Sequence, residues 1–174
     1  MKIHFKILAF LALSIFFYSS TLADIPHFVD FKYILNQSEA GKKAQTFLKD
    51  KLNNGIKKLQ NQEKNIQEEE KKIIQQKKII SNEEYKKQVN ELRKKVASLQ
   101  KERQNLLDSV AKQRAKAKQE ILKNLNPIIK EYMKEKKIRM VVDKKGILLA
   151  DENLDLTKEI TSLLNKKLKS IKLN

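Results

Sequence analysis

The sequence contains no cysteine, and it has only three glycines and two prolines among its 174 residues. Without cysteine, the protein has no disulfide bond, no thiolate nucleophile and no cysteine-based metal site. Aromatic residues make up only 6% of the chain and charged residues 34%, which is poor material for one large hydrophobic core. These shortages argue against a compact globular enzyme.

Catalytic and cofactor motifs are also missing from the sequence. It has no glycine-rich phosphate loop, no nucleophile elbow and no acidic cluster spaced to hold a metal. Of the two histidines, His4 lies in the apolar N-terminal segment, and His27 has no companion at a catalytic spacing. A structural or solvent-facing role for His27 is therefore favoured. The sequence predicts neither an enzyme nor a cofactor.

The first 23 residues have the pattern of a secretory signal peptide. Lys2 and Lys6 precede an apolar run from Ile7 to Phe17, and the small residue Ala23 ends the segment. The alternative is an uncleaved membrane anchor, but the run has about 11 residues, against the roughly 20 that a spanning helix needs. We therefore predict export and cleavage after Ala23.

The exported chain is strongly cationic. After removal of residues 1–23 it keeps 36 Lys and Arg against 21 Asp and Glu, a net charge of +15. Between Glu39 and Lys137 there are 27 basic and 14 acidic residues, so +13 of this charge lies in one segment. Such a surface favours an anionic partner. Export points to acidic polypeptides, anionic lipid or lipopolysaccharide rather than nucleic acid.

Lysine, glutamate, glutamine, isoleucine and leucine dominate that segment, which is the composition of long helices. Apolar residues recur at heptad spacing in two successive stretches, and this pattern predicts an antiparallel helical hairpin. The apolar positions are Leu52, Leu59, Ile66, Ile73 and Ile80 in the first stretch, and Tyr85, Leu92, Leu99 and Leu106 in the second.

Local signals set the expected ends of the two long helices. Ser38 and Glu39 begin the first helix, which is expected to run to Ile80. A capping-box pattern at residues 81–84 marks the turn. The second helix is expected to run from Asn82 to Asn126, because Pro127 should kink or interrupt it. At about 1.5 Å per residue, each helix is roughly 60 Å long.

Short β-prone segments flank this hairpin. Residues 25–31 are expected to form a strand, with Asp30 capping a brief helical turn. Residues 138–142 and 147–150 have the pattern of a β-hairpin, with Gly146 supplying a positive φ in the turn. Capping side chains in the segment Asp155-Leu156-Thr157 precede a final helix.

Three short strands are too few for a self-sufficient sheet. Apolar side chains on them should remain partly exposed in a single subunit, so we predict that the protein oligomerises through this base. The residues predicted to make that contact are Phe28, Val29, Val141, Val142, Ile147 and Leu148.

The fold class is therefore mainly α with a small β-body, in which a coiled-coil arm stands on a three-strand base. The predicted organisation is a signal peptide at 1–23, a base from 24–38 and 138–174, and an arm at 39–137 with its tip near 81–84. Lysines on the arm are candidates for attracting an acidic partner, although a merely solvated helix face is the simpler reading for any one of them. These lysines are Lys71, Lys72, Lys77, Lys78, Lys86, Lys87, Lys94 and Lys95.

The chain resembles the Skp/OmpH family. The resemblance rests on the segments Phe28-Val29-Asp30, SEAGKKA at residues 38–44, Val141-Val142-Asp143 with Gly146, and Asp155-Leu156-Thr157. It implies a jellyfish-shaped homotrimer in the periplasm, whose arms enclose a cavity for unfolded outer-membrane proteins. It also implies an ATP-independent chaperone with no nucleotide, metal or catalytic residue.

Two other functions are compatible with the same residues. A coiled-coil spacer or tether of the cell envelope, without chaperone activity, is favoured if the signal peptide stays uncleaved. A nucleic-acid binder is favoured if the protein stays in the cytosol. The mass of the mature N-terminus separates both from the chaperone.

Overall fold

The computed structural model describes residues 25–173, so the predicted signal peptide at 1–23 lies outside the described residues. The described part is mainly helical with one small pair of strands, as predicted. Its elements are β1 (His27–Val29), α1 (Phe31–Gln37), α2 (Glu39–Gln76), α3 (Asn82–Lys136), β2 (Val141–Asp143) and α4 (Thr157–Lys167). Two single 3-10 turns lie between β2 and α4, at Lys144–Gly146 and Glu152–Leu154.

Helices α2 and α3 form the predicted antiparallel hairpin. Both helices begin at the expected serines, because the Gly41 N–H donates to Ser38 Oγ and the Glu84 N–H donates to Ser81 Oγ, each at 3.2 Å. The first helix ends at Gln76, earlier than the predicted Ile80. The turn at the tip therefore comprises residues 77–81.

Pro127 lies inside α3 and does not interrupt it, so the predicted end of the helix at Asn126 is wrong. Proline removes one helical hydrogen bond and crowds the preceding turn. The burial of the next two residues, Ile128 and Ile129, in the core stabilises the helix and offsets this cost. The helix instead ends at Lys136, and the next residue, Lys137, has a φ of 56°, the left-handed conformation that closes many helices.

The predicted β-hairpin is also wrong. Strand β2 pairs in parallel with β1, with His27 opposite Val141 and Val29 opposite Asp143. Residues 147–150 are not a strand. Gly146 belongs to the 3-10 turn, and no glycine of the described chain has a positive φ. The other edge of β1 is occupied by a single bridge from Phe28 to Asp155. Two strands, not three, are present in residues 25–173.

The main core lies where these strands meet α1, α4 and the end of α3. It buries apolar side chains from both ends of the described chain: Val29, Ile34, Ile121, Leu125, Ile128, Ile129, Leu156, Ile160 and Leu164. We call β1, α1, β2, α4 and residues 121–136 of α3 the base. We call α2, the turn 77–81 and residues 82–120 of α3 the arm.

A C-terminal tail joins the base to the arm. After α4 ends at Lys167, residues 168–173 run without regular structure. Leu173, only 3% exposed, packs with Ala44 and Leu48 of α2 and Ala117 of α3 in a second apolar cluster. Gln113 Nε2 donates to the Leu173 carbonyl oxygen. The tail thus contacts both helices of the arm near the point where they leave the base.

Candidate functional site

The base buries part of the predicted contact surface within one subunit. Phe28 is 4% exposed and Val29 is fully buried, so the expectation that these two side chains stay partly exposed is wrong. The Val29 side chain packs into the main core, and the Lys144 side chain lies over the Phe28 ring. The backbone of β1 is paired with β2 on one edge, and on the other the Leu156 N–H donates to the Phe28 carbonyl at 2.9 Å. Val141, Val142 and Ile147 are half-buried.

The other apolar residues near β2 are strongly exposed. Leu148 is 96% exposed, Leu149 is 90% exposed, and Met140 is more than half exposed. In addition, the outer edge of β2 has no strand partner within residues 25–173. An unpaired strand edge beside exposed leucines is a surface that other chains can join.

A polar network connects the 3-10 turn after β2 to the start of α4. Asp155 accepts hydrogen bonds from the Thr157 side chain and from the Thr157 N–H (2.9 Å), and it pairs with Lys144 at 3.0 Å. Burial alone would raise the pKa of Asp155, but the bonds from Thr157 and Lys144 outweigh it and lower that pKa. The same pair raises the pKa of Lys144, whose Nζ lies 5.5 Å from the centre of the Phe28 ring.

The arm is joined by a narrow apolar seam and by polar contacts between its helices. The seam buries Leu59, Ile73 and Leu99. Lys51 Nζ donates to Ser109 Oγ (2.8 Å) and to Gln113 Oε1 (2.9 Å) near the base. Farther out the links are ion pairs, for which the distances are 3.1 Å for Lys58–Glu102, 3.5 Å for Arg103–Glu63 and 2.6 Å for Lys95–Glu69.

The carboxyl group of Glu102 accepts hydrogen bonds from Lys58 Nζ and from Gln62 Nε2. Hydrogen bonds from Lys58 and Gln62 lower the pKa of Glu102 against a small opposing effect of burial. Because this carboxyl group is exposed to solvent, the pairing adds little to the stability of the arm.

All eight lysines predicted to attract a partner are exposed on the outer half of the arm and at its tip. Two of them have partners within the chain: Lys95 pairs with Glu69, and Lys77 Nζ lies 5.6 Å from the centre of the Tyr85 ring. At the tip, Ile79 is 84% exposed, so apolar surface lies among these charges. The structure does not bring the lysines together in one pocket.

Other kinds of site are not visible in the described chain. Within residues 25–173, no group of histidines and carboxylates is arranged to hold a metal ion. His27 is half-buried, and its Nδ1 has no hydrogen-bond partner among those residues. None of the helices described is long and apolar enough to cross a membrane.

Two features of the region where the arm leaves the base were not predicted from the sequence. One is the contact of Leu173 with the arm, for which the tail carries no periodic signal. The other is a groove between α2 and α3 beside the base, where small side chains line the helices. Its only signal in the sequence is the spacing of Gly41 and Ala44 in α2 opposite Ala117 in α3.

Comparison with known proteins identifies the family to which this fold belongs. No curated protein matches the chain. Its fold is similar to the crystal structure of a proposed outer membrane chaperone (OmpH-like) from Caulobacter crescentus, with a TM-score of 0.78 and 20% sequence identity over 85% of this chain and 89% of that one. The family model described as outer membrane protein (OmpH-like) matches residues 27–164. That match spans β1 to α4, and the chain belongs to the OmpH-like family.

Proposed function

We propose that this protein is a periplasmic chaperone that holds unfolded outer-membrane proteins and keeps them from aggregating without ATP. The observation that carries the proposal is the arm: a helical hairpin extends about 57 Å, at 1.5 Å per residue of α2, from a small base. Residues 39–120, which form the arm, carry 22 basic and 12 acidic side chains, a net charge of +10, and many of the lysines are exposed. Family membership and the fold shared with a proposed outer membrane chaperone support the same function.

The proposed binding space is a cationic cavity between the arms of a homotrimer. Assembly through the base is supported by the unpaired edge of β2 and by the exposed Leu148 and Leu149. We expect Val142→Asp to dissociate the trimer, since the substitution buries an unpaired charge at the proposed contact. Light scattering measures the mass of both proteins. A monomeric unmodified protein contradicts the trimer and the cavity together.

Client recognition is proposed to combine long-range charge with weak, distributed contacts. A cationic arm attracts acidic clients over a Debye length of about 8 Å at physiological salt, without reading a sequence. Many weak contacts along an unfolded chain add up by multivalency and still allow release. Anionic lipid or lipopolysaccharide is a further proposed partner of the same charge, whereas nucleic acid is not, because the protein is proposed to be exported.

An aggregation assay tests the proposal. Purified protein lacking residues 1–23 is mixed, without ATP, with a β-barrel outer-membrane protein diluted from urea, and light scattering follows aggregation. We expect suppression at a near-stoichiometric ratio of trimer to client, unchanged when ATP is added. Undiminished aggregation contradicts the chaperone function and leaves an envelope spacer or tether. The mass of the mature N-terminus tests export and cleavage after Ala23.

A further inference from the structure

A groove lies between α2 and α3 where the arm leaves the base, and we call it the root groove. Its volume is about 760 Å³, which is within the range of clefts that bind small ligands. Its lining includes the small side chains of Ala44 in α2 and Ala117 in α3, and Gly41 lies at its end nearest the base. Half-buried Leu35, Leu52 and Val110 give it an apolar floor.

Three cations line the rim of the root groove, and no carboxylate does. Lys49, Arg114 and Lys118 are exposed, and none of the three has an ion-pair partner within residues 25–173. The two smaller clefts farther along the arm differ in this respect. One contains the Lys95–Glu69 pair and the other the Arg103–Glu63 pair, so their cations are compensated internally. The root groove therefore has unneutralised positive charge beside apolar surface.

The length of the root groove matches a short extended peptide. Along α2 it reaches from Gly41 to Leu52, which is about 16 Å at 1.5 Å per residue. A β-conformation rises about 3.3 Å per residue, so roughly five residues fit. Strands of outer-membrane barrels alternate apolar and polar side chains. A segment of this kind can place apolar side chains on the floor and carboxylates against the rim.

We propose that the root groove binds extended polypeptide segments in which apolar residues alternate with acidic ones. The inference rests on the proposed chaperone function and gives it a defined contact site. Charge complementarity selects the occupant, because an acidic segment neutralises the three rim cations and a basic one is repelled. The groove adds a short-range selection to the general attraction that the arm exerts at longer distance.

The test uses a fluorescein-labelled pentapeptide that alternates leucine and aspartate, and a partner peptide with lysine in place of aspartate. Fluorescence anisotropy at low salt follows binding to the mature protein. We expect the acidic peptide to bind and the basic one not to bind. The triple variant K49Q/R114Q/K118Q should weaken binding of the acidic peptide at least tenfold. Equal binding of both peptides overturns the proposal.

A matched control removes the same charge elsewhere. The variant K64Q/R93Q/K101Q also loses two lysines and one arginine, all exposed on the arm outside the groove, and should weaken peptide binding less than twofold. Equal losses in the two variants show that only general charge matters, and this overturns the root groove as a site. Circular dichroism checks that both variants keep their helices, as expected for exposed glutamines.

Photocrosslinking provides a second measurement without a charge change. A benzoylphenylalanine in place of Gln45, on the rim of the groove, should crosslink to the acidic peptide, whereas one in place of Gln100, exposed on the arm, should not. Crosslinks at both positions overturn the proposal.

Other occupants give different results. A changed molecular mass of K49Q/R114Q/K118Q in light scattering identifies the groove as a contact between copies of this chain. Loss of binding to phosphatidylglycerol vesicles, with peptide binding retained, identifies a lipid site. Either result overturns the proposal. The aggregation assay stays independent: a failure of the unmodified protein there contradicts the chaperone function, while the peptide titration still reports on the groove.

Discussion

The base and the arm are both built from helices, yet they are held together in different ways. The base collects buried side chains from β1, α1, α3 and α4 into one cluster, so each residue is enclosed from several directions. Beyond the contact with the C-terminal tail, each helix of the arm packs only against the other, and between the tip and the middle of the arm only Leu59, Ile73 and Leu99 are buried. Stability is therefore concentrated in the base, and the arm depends on a thin seam with exposed ion pairs.

Truncation of one leucine in each region should give the largest difference. Leu125 is fully buried in the base, so Leu125→Ala should lower the free energy of unfolding by about 2–5 kcal/mol. Leu107 is half exposed on the arm, and Leu107→Ala should cost about 0.5 kcal/mol or less. Urea unfolding followed by circular dichroism, at one fixed protein concentration, measures both. Similar losses for the two variants contradict a base-centred stability.

Two glycines of α2 allow a second comparison of stability near the base and along the arm. Replacement by alanine brings the added Cβ close to backbone at one position and to a flexible side chain at the other. A Cβ on Gly41 lies 2.1 Å from the Leu35 carbonyl oxygen, and that backbone cannot move without shifting α1. Gly41→Ala should therefore destabilise the protein by about 1–3 kcal/mol, even though alanine is the better helix former.

The matched substitution farther along α2, away from the base, is Gly55→Ala. Here the added Cβ lies 2.5 Å from the end of the flexible Leu106 side chain, which can rotate away. The gain in helix propensity, about 1 kcal/mol, offsets the crowding, so we expect little net change. Thermal unfolding compares the two variants. A Gly41→Ala protein as stable as the Gly55→Ala protein shows that the junction of α1 and α2 is not tightly packed.

The smallest expected difference between the base and the arm is in the pH dependence of their stability. The pKa of Asp155 is lowered in the folded base, so its stabilising contribution is present above the unfolded value of about 4 and is lost as the pH falls through the folded value. Asp155→Asn should flatten the loss of stability below about pH 4. Glu102→Gln in the arm should act in the same direction but more weakly, because Glu102 is exposed. The midpoints of urea unfolding, measured from pH 5 to pH 2.5 for the unmodified protein and both variants, test this expected order.

The parts of the fold that sequence predicted correctly are those fixed by local or periodic signals. The heptad spacing of Leu59 and Leu99 identified the seam, and Ser38 and Ser81 identified the helix starts, because a cap depends on residues one turn away. Pro127 was misread because the burial of its neighbours in the base outweighs a local preference.

The errors in the β segments have a non-local cause. Residues 147–150 have a β-prone composition, but a 3-10 turn at Lys144–Gly146 takes the place of the expected hairpin turn, and β2 pairs with β1 instead. Pairing of this kind is decided by which segments the long helices bring together. The root groove was missed for a related reason: it depends on the approach of small residues from α2 and α3, which one sequence does not display as a motif. The proposed contact residues of the base and the lysines of the arm remain predictions.

The C-terminal tail gives the arm a mechanical property. The arm is a lever whose pivot lies at the base, and Leu173 contacts it near Leu48, about 14 Å along a helix of about 57 Å. A shift of the arm by 1 Å at that contact becomes roughly 4 Å at the tip when the helices move as a rigid rod. The packing of one leucine therefore limits the angular swing of the arm, and a contact close to the base restricts the position of its distant tip.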